Sequence, residues 1–416
     1  MTVINNVLKL DGAIVSVILS NHSSQEIDGK GLTLLPALID PHVHFRVPGD
    51  EHKENWLSAS QACIESGITT VIDMPNNRPS CTTFEDLLLK HKLIQNQLHS
   101  AGIPLRYFLY FGADRRHLGE IAKVKKHAIA IKVFMGSSTG NLLIDDEPSL
   151  NEVFRIAADL DMLVSVHAED ENIIRDNKLR YSGCNDPAAH SKIRSRDAAI
   201  KAVERAISLA AKYGTRLCIL HMSTKEEVAL LRQAKLSGVN VHGEVAPHHL
   251  FLSTEDYSNW GTKVQVNPPL REPEDQECLW RALNEGTIDF IGTDHAPHTL
   301  QEKSLPYGQA PSGIPSVELL LPLLLDACNK GKLNLQTLVK ATRTNIEKIF
   351  RLPPHDDYVL VDMKAVKTVS DENLKTKCRW SPYSGRHLQG WPNFTIIDQK
   401  LFQLKKEKSG SCPQKH

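Results

Sequence analysis

Between residues 34 and 329 the sequence alternates short runs rich in valine, isoleucine and leucine with longer amphipathic stretches. The short runs lack strict polar–apolar alternation, which is typical of strands buried on both faces of a parallel sheet. They cover residues 34–40, 69–74, 105–111, 130–134, 163–167, 216–221, 240–244 and 289–293. The helix-length stretches cover 54–66, 83–98, 115–127, 149–160, 196–213, 225–237, 273–284 and 316–329. Eight strand-then-helix units predict an α/β fold of the (β/α)8 TIM barrel type, with a doubly wound open sheet as the alternative.

The two ends of the chain have a different pattern from the middle. The first 30 residues contain short alternating stretches separated by Asp-Gly turn signals. Beyond about residue 352, four segments bounded by proline and glycine are predicted as strands, namely 357–362, 377–380, 391–397 and 401–404. We predict a small accessory β-domain formed by both chain termini (1–33 plus 355–404), a barrel over 34–354, and a frayed polar tail over 405–416.

Composition gives no sign of a macromolecular partner. Lysine plus arginine and aspartate plus glutamate both number 49, which argues against nucleic acid or an acidic membrane as partner. Eight cysteines without a Cys-x-x-Cys pair argue against a disulfide framework and favour a reducing compartment. The first residues lack a signal-peptide pattern, and every apolar run is too short to span a bilayer. We therefore predict a cytoplasmic protein with a small-molecule substrate; monomer, homodimer and membership of a larger complex all stay open.

Four histidines stand at the carboxyl ends of the predicted strands. His42 and His44 follow the first run two positions apart, so in an extended chain both imidazoles project from one face. Alone this spacing is a weak metal signal, because two histidines can also be core or surface residues. His167 and His221 end the fifth and sixth runs, and each alone would be read as a core histidine bonded to a carbonyl. Since a barrel brings its strand ends to one face, the four together favour a shared metal site.

Lys132 and Asp294 extend this set. Lys132 lies inside the apolar fourth run, where burial would lower its pKa and let the neutral amine add carbon dioxide; the alternative is an ammonium that reaches the rim or pairs with a carboxylate. Asp294 follows the eighth run, and packing explains it poorly. Two zinc ions sharing an acidified hydroxide would make such a site hydrolytic. The predicted ligands are His42, His44 and Asp294 for one zinc, His167 and His221 for the other, and a carboxylated Lys132 bridging them.

Six motifs at or near the strand ends carry a wider pattern. They are DPHVHFR at 40–46, MPN at 74–76, IKVFMG at 131–136, VHAE at 166–169, EVAPHHL at 244–250 and GTDHAPH at 292–298. Together they resemble the amidohydrolase superfamily, and within it the dihydroorotases that keep a β-domain beside the barrel. The resemblance runs from about residue 34 to residue 352.

The resemblance implies an activity and a set of substrate contacts. The activity is the reversible cyclisation of N-carbamoyl-L-aspartate to L-dihydroorotate in de novo pyrimidine synthesis, with Asp294 as the catalytic residue that exchanges protons with the zinc-bridged hydroxide and the ring nitrogen. Arg46 and Asn76 would hold the free carboxylate, Arg46 through a bidentate fork. His298 would assist at the same carboxylate. The backbone of residues 311–313, with Pro311 and Gly313 as its ends, would line the pocket.

The sequence departs from the family pattern, or leaves it open, at three places. Leu220 stands where some dihydroorotases have a cysteine for a third zinc, so we expect no third site although Glu244 is present. Asn267 occupies a position that is arginine in some relatives, which leaves its substrate contact open. Residues 136–141 are small and hydroxyl-rich, and could form a mobile lid or simply a polar loop.

Two other functions remain as alternatives. One is a different cyclic-amide hydrolase, an allantoinase or a hydantoinase/dihydropyrimidinase. Allantoinases tend to carry asparagine at the position of Arg46, and hydantoinases act on substrates without a matching anionic group. The other alternative is a non-catalytic structural paralogue. Such proteins typically lose ligands, whereas competent residues fill all six expected ligand positions here.

Overall fold

The computed structural model describes residues 1–20, 24–138 and 142–404. The tail 405–416 that we predicted to fray, and residues 139–141 of the loop considered as a lid, lie outside the described residues. Within the described ranges, none of the helices is both long and apolar enough to cross a membrane.

The chain begins and ends with β-strands, and helices follow most strands in between. The strands are β1 Thr2–Leu8, β2 Ile14–Leu19, β3 Gln25–Asp28, β4 Thr33–Pro36, β5 Leu38–Val43, β6 Ile68–Asp73, β7 Arg106–Gly112, β8 Ala130–Phe134, β9 Leu163–His167, β10 Leu217–Ile219, β11 Val241–Val245, β12 Phe290–Ile291, β13 Tyr358–Thr368, β14 His387–Ile397 and β15 Lys400–Gln403. The α-helices are α1 Trp56–Glu65, α2 Phe84–Ala101, α3 Ile121–Val124, α4 Glu147–Asp159, α5 Glu171–Arg180, α6 Ala189–Ile193, α7 Arg196–Tyr213, α8 Lys225–Leu236, α9 Pro247–Phe251, α10 Tyr257–Trp260, α11 Pro273–Glu285, α12 Leu300–Lys303, α13 Leu320–Asn329, α14 Leu335–Val339 and α15 Asn345–Phe350.

The eight strands β5 to β12 form a parallel sheet in which each strand pairs with its neighbour in chain order. The first strand of this sheet meets the segment just after the last strand through a bridge between Val43 and His295, and the His44 amide donates to the His295 carbonyl at 2.9 Å. The sheet is therefore nearly closed. The prediction of a (β/α)8 barrel is confirmed, and the doubly wound open sheet is excluded.

The remaining seven strands come from both ends of the chain and form a second sheet in the order β15-β14-β13-β4-β1-β2, with β3 also paired to β1. This sheet confirms the predicted β-structure beside the barrel. The predicted first run, 34–40, is divided between the two sheets, because β4 pairs with β13 whereas β5 pairs with β6. The exact residues at which the two domains divide stay a prediction.

Two other segments differ from the sequence-based expectation. Residues 115–127 form only the short helix α3 after a single 3-10 turn at 118–120. Residues 377–380 are not a strand; Trp380 is buried there, and its indole N–H donates to the His298 carbonyl at 2.8 Å. That segment packs against the barrel instead of extending the second sheet.

Local signals in the sequence fix several helix ends. Thr83 and Asp86 form a capping box at the start of α2, and Thr224 and Glu227 form another at the start of α8. Each box satisfies backbone N–H groups that the first helical turn leaves without partners. Both helices follow barrel strands, so their capped ends lie in the strand-to-helix loops at the carboxyl face of the barrel.

The barrel interior is apolar towards the amino ends of the strands. Side chains from the strands and from α15 pack there in one cluster that includes Ile39, Ile72, Tyr110, Ala130, Leu163, Cys218, Phe290 and Phe350. The Phe350 ring lies 6.2 Å from that of Tyr110 and 5.8 Å from that of Phe290, edge to face in both pairs. Above this cluster, towards the carboxyl ends, the interior becomes polar.

Candidate metal and substrate site

One cavity at the carboxyl ends of the barrel strands collects most of the predicted site residues. They include all six predicted metal ligands and four of the predicted substrate contacts. The lining residues are His42, His44, Arg46, Asn76, Lys132, Phe134, Ser138, His167, His221, Asn267, Asp294, Ala296, Ser312 and Gly313. This location is where barrel enzymes place their chemistry.

His42, His44 and Asp294 form a compact cluster on one side of the cavity. Asp294 Oδ1 lies 3.2 Å from Nε2 of His42 and 3.0 Å from Nε2 of His44. The other ring nitrogens are held from behind, since Nδ1 of His42 donates to Glu244 at 2.7 Å and Nδ1 of His44 donates to the Asn76 side-chain oxygen at 2.7 Å. Outer hydrogen bonds of this kind orient metal-binding histidines and fix their tautomers.

His167 and His221 form the second pair. Nδ1 of His167 lies 3.1 Å from Nε2 of His221, and both side chains are buried. The other nitrogen of His167 donates to Glu169 at 2.8 Å, and Glu169 in turn is paired with Arg194. Burial opposes ionisation of Glu169, but the charge of Arg194 and the hydrogen bond from His167 lower its pKa well below the usual range. Glu169 is therefore an ionised acceptor that orients His167.

Lys132 lies on the cavity wall formed by β8. Its side chain is buried instead of extended to the rim, and its Nζ stands 4.7 Å from the centre of the Phe134 ring. Burial lowers the pKa of Lys132 to about 8, although the negative charges of Asp294 and Glu244 oppose the shift. This shift increases the fraction of the neutral amine, which is the form that reacts with carbon dioxide.

Three residues of the site have backbone conformations that L-amino acids rarely adopt. The φ angles are +66° at Arg46, +37° at His221 and +46° at Asp294. Such conformations cost on the order of 1–3 kcal/mol each and are kept where the surrounding structure holds them. The clustering of three at one cavity marks it as a functional site.

Gly292 allows the strand end before Asp294 to pack closely against the first ligand strand. A Cβ at this position would lie 2.5 Å from a carboxylate oxygen of Glu244 and 2.9 Å from the Cβ of His42. Both contacts are too short for real atoms, so a larger residue would displace the carboxylate that orients His42.

Arg46 occupies the opposite side of the cavity. Its Nε donates to the Pro297 carbonyl at 3.1 Å, and its Nη2 lies 3.2 Å from Nε2 of His298. Burial lowers the pKa of Arg46. Among the described residues, no carboxylate oxygen lies within 4 Å of the Arg46 guanidinium, so Arg46 has no ion-pair partner there. Arg46 is thus a buried cation beside a cavity, an arrangement that favours an anionic ligand.

The structure does not bring two of the predicted substrate residues to the cavity wall. His298 lies behind Arg46, with Nε2 3.1 Å from the Ser312 carbonyl. The Pro311 carbonyl accepts a hydrogen bond from Lys303 at 2.8 Å. Asn267 does line the cavity, and its side-chain oxygen accepts a hydrogen bond from His190 at 2.9 Å.

Sequence reasoning gave no role to several residues that build the site. Phe134, Ser138 and Ala296 line the cavity without having been assigned to it. Glu169 orients a predicted ligand, and the signal for it was its position two residues after His167, which places both on one side of an extended chain. Ser138 lies in a loop whose direction the sequence pattern does not indicate.

Comparison with known proteins adds independent evidence. The sequence profile of the amidohydrolase family matches residues 33–353. A dihydroorotase from Halobacterium salinarum is 33% identical over 420 residues, covering 95% of each chain. A dihydroorotase from Methanosarcina mazei is 35% identical over 387 residues, covering 87% of this chain and 82% of the relative.

A solved structure of another cyclic-amide hydrolase has a similar fold over almost the whole chain. An L-hydantoinase (dihydropyrimidinase) from Arthrobacter aurescens superimposes with a TM-score of 0.89 at 27% identity, covering 98% of this chain and 96% of the hydantoinase. Proteins of the amidohydrolase family are typically metal-dependent, and a His-His-Asp cluster able to hold a metal ion is present here. The chain therefore belongs to the amidohydrolase family, and within it to the dihydroorotases.

Proposed function

We propose that this chain catalyses the reversible cyclisation of N-carbamoyl-L-aspartate to L-dihydroorotate, using two zinc ions and a carboxylated Lys132. The observation that carries the substrate assignment is the buried guanidinium of Arg46, which faces the same cavity as His42, His44 and Asp294 and has no described carboxylate as an ion-pair partner. Both compounds carry a carboxylate that does not react. A planar guanidinium can bind that group through two parallel hydrogen bonds.

The residues present fit a pair of zinc ions. Imidazole nitrogens and carboxylate oxygens are ordinary zinc ligands, and the ligand atoms of His42, His44 and Asp294 all lie within 4.8 Å of one another. His167 and His221 would hold the second ion, and a carboxylated Lys132 would connect the two. Zinc bound there would lower the pKa of a water molecule and polarise the carbonyl that is attacked.

In this proposal Asp294 moves the proton that the reaction requires. In the hydrolytic direction, water adds to the ring carbonyl carbon, the bond from that carbon to the ring nitrogen breaks, and the nitrogen gains a proton. Asp294 can take the proton from the water and deliver it to the nitrogen, since its carboxylate faces the cavity beside His42 and His44. Ring closure reverses these steps, releases water and takes up one proton.

The substrate-binding side is separate from the metal cluster. Arg46 would bind the unreactive carboxylate, with Asn267 and Asn76 at the same cavity and His298 holding the guanidinium from behind. The side chain of Asn76 also orients His44, so it would link substrate binding to the metal ligands. A buried anion in this position is held at a fixed distance from the reacting carbonyl, which favours productive geometry.

Purified protein loaded with zinc tests the proposal. We expect two zinc ions per chain and turnover of both N-carbamoyl-L-aspartate and L-dihydroorotate, with the ring-closed form favoured as the pH is lowered. Allantoin, hydantoin and dihydrouracil serve as matched comparison substrates, because they have the cyclic amide but lack a free carboxylate. Faster turnover of any of these three than of dihydroorotate would overturn the substrate assignment. At most one tightly bound zinc with no turnover of any compound would support the non-catalytic alternative.

A further inference from the structure

The connection between β13 and β14, residues 369–386, leaves the second sheet and packs against the barrel close to the candidate site. Thr376 donates through its hydroxyl to Glu54 Oε2 at 2.6 Å, and the Lys377 amide donates to the same oxygen at 3.2 Å. Further along, Trp380 donates to the His298 carbonyl. This connection, which we call the supporting segment, therefore contacts the barrel next to the GTDHAPH strand end, at Glu54 and at the His298 carbonyl among other points.

Glu54 is the first of these points. Its carboxylate is completely buried and also accepts hydrogen bonds from the Asn55 amide, at 3.1 Å, and from the Ser58 hydroxyl. Lysine and arginine are absent from its ion-pair distance among the described residues, and the basic side chain that faces it is His295, whose Nε2 lies 3.5 Å from Glu54 Oε2. A buried carboxylate without lysine or arginine is costly unless several donors hold it, and here the donors come from both the barrel and the supporting segment.

His295 is fixed from the opposite direction. Its Nδ1 accepts hydrogen bonds from the backbone amides of Ser316 at 3.0 Å and Val317 at 3.2 Å. A ring nitrogen that accepts from two N–H groups carries no proton, so the proton of the neutral ring is on Nε2, which faces Glu54. The edge-to-face contact with Phe45, at 5.7 Å between ring centres, leaves the imidazole little freedom to rotate.

The backbone of His295 connects two candidate metal ligands. Its carbonyl accepts from the His44 amide at 2.9 Å, and its peptide nitrogen belongs to the bond that follows Asp294. His295 also forms β-bridges with Val43 on one side and with Ile314 on the other. Because Asp294 has a φ of +46°, the peptide after it must be held against relaxation to an unstrained conformation.

We infer that Glu54 and His295 are a positioning pair for Asp294, and that the supporting segment holds this pair through Thr376. The pair touches neither substrate nor metal in this scheme; it fixes the direction in which the Asp294 carboxylate faces His42 and His44. The inference rests on the proposed function for the role of Asp294. It gives the second sheet a specific contribution to catalysis, because the supporting segment is part of its β13–β14 connection.

Two matched substitutions separate positioning from general stabilisation. Thr376→Val removes the hydroxyl that donates to Glu54. Thr395→Val makes the same change at another buried threonine of the second sheet, whose hydroxyl donates to the Ile64 carbonyl at 2.7 Å away from the site. His295→Asn is a stronger variant, since the asparagine oxygen can still accept from the Ser316 and Val317 amides but the donor facing Glu54 is lost.

We expect Thr376→Val to lower kcat by about fivefold and His295→Asn by about 30-fold or more, in line with the loss of rate that small misplacements of catalytic groups cause. KM should stay within about twofold, because Arg46 is untouched and its contacts are unchanged. With cobalt(II) added to the metal-depleted protein, the visible absorption of both variants should differ from wild type. Thr395→Val should match wild type in kcat, KM and spectrum.

The experiment distinguishes failure of the positioning pair from failure of the proposed function. If wild type turns over no cyclic amide but the cobalt spectra change in Thr376→Val and not in Thr395→Val, the proposed activity fails and the positioning pair stands. If Thr376→Val and Thr395→Val are alike in spectrum and in kcat, the positioning pair is wrong. This comparison decides the question even if His295→Asn does not fold.

Discussion

Nδ1 of His167 lies 3.1 Å from Nε2 of His221, at the carboxyl ends of two neighbouring barrel strands. Glu169 accepts from the other nitrogen of His167 at 2.8 Å, so the lone pair of Nδ1 points towards His221. Two imidazole nitrogens that face each other in this way can bind one cation together. This relationship is the reason to place the second zinc at this pair.

His221→Ala should reduce the zinc content from two ions per chain to one and abolish turnover, because a single imidazole and a shared carbamate are too few ligands for tight binding. Zinc measured by atomic emission after gel filtration checks this. His355→Ala is the matched control, since His355 contacts Thr70 and Asp357 far from the cavity. Retention of two ions in the His221 variant would contradict the assignment.

Arg46→Lys tests recognition of the substrate carboxylate. Lysine keeps the positive charge but has no planar fork, so it makes fewer hydrogen bonds to a carboxylate. We expect KM for dihydroorotate to rise by about 10- to 100-fold, equivalent to about 1.5–3 kcal/mol for a hydrogen bond to a charged group, with kcat and zinc content retained. Arg78→Ala is the control: Arg78 is an exposed arginine whose Nε lies 3.5 Å from Asp50, four residues after Arg46, and its removal should leave KM unchanged.

Asp294→Ala should have the opposite kinetic pattern. Removal of the carboxylate takes away the group that we propose to move the proton, so kcat should fall by about 100-fold or more while KM changes little. Metal content should be largely retained, because the imidazoles and Lys132 remain. Steady-state kinetics with metal analysis on the same sample provide the measurement. If the Asp294 and Arg46 variants lost activity in the same way, the separation of roles would be wrong.

The barrel, and the gathering of the candidate metal ligands at one cavity, could be predicted from the sequence because both depend on local patterns. Strands buried on both faces give apolar runs, and polar residues at their ends stand out against that background. His167 and His221, which line the cavity, were predicted as metal ligands in this way. The division of 34–40 between two sheets could not be found, since the run is nearly continuously apolar and only the pairing of β4 with β13, more than 300 residues away, separates its two parts.

Other features depend on contacts that one sequence does not contain. The left-handed backbone at Asp294 has no local signal, because aspartate is also common in ordinary turns. The contact between Glu54 and His295 joins residues 241 positions apart. Sequence periodicity can indicate which residues face a core, but not which distant side chains come to lie beside each other.

Lys303 gives a prediction about stability and pH. Its side chain is completely buried, and its Nζ donates to the carbonyls of Gln265 and Pro311 at 3.0 and 2.8 Å. In the described structure no carboxylate forms an ion pair with it, and burial lowers its pKa well below 10.5. The folded chain therefore binds this proton less readily than the unfolded chain does, so the contribution of Lys303 to stability increases as the pH rises towards 10.5.

Lys303→Met should remove this dependence. Relative to wild type, the variant should be most stable at low pH, and its advantage should shrink by up to ~1.4 kcal/mol per pH unit as the pH rises within the window between the folded and unfolded pKa values. Lys90→Met is the matched control, because Lys90 is equally buried but lies 2.6 Å from Asp73; breaking that pair should cost about 3–5 kcal/mol. Urea unfolding at pH 7 and pH 9 measures the free energy of unfolding of both variants and of wild type. If the difference in this free energy between Lys303→Met and wild type were the same at both pH values, Lys303 would be charged in the folded chain.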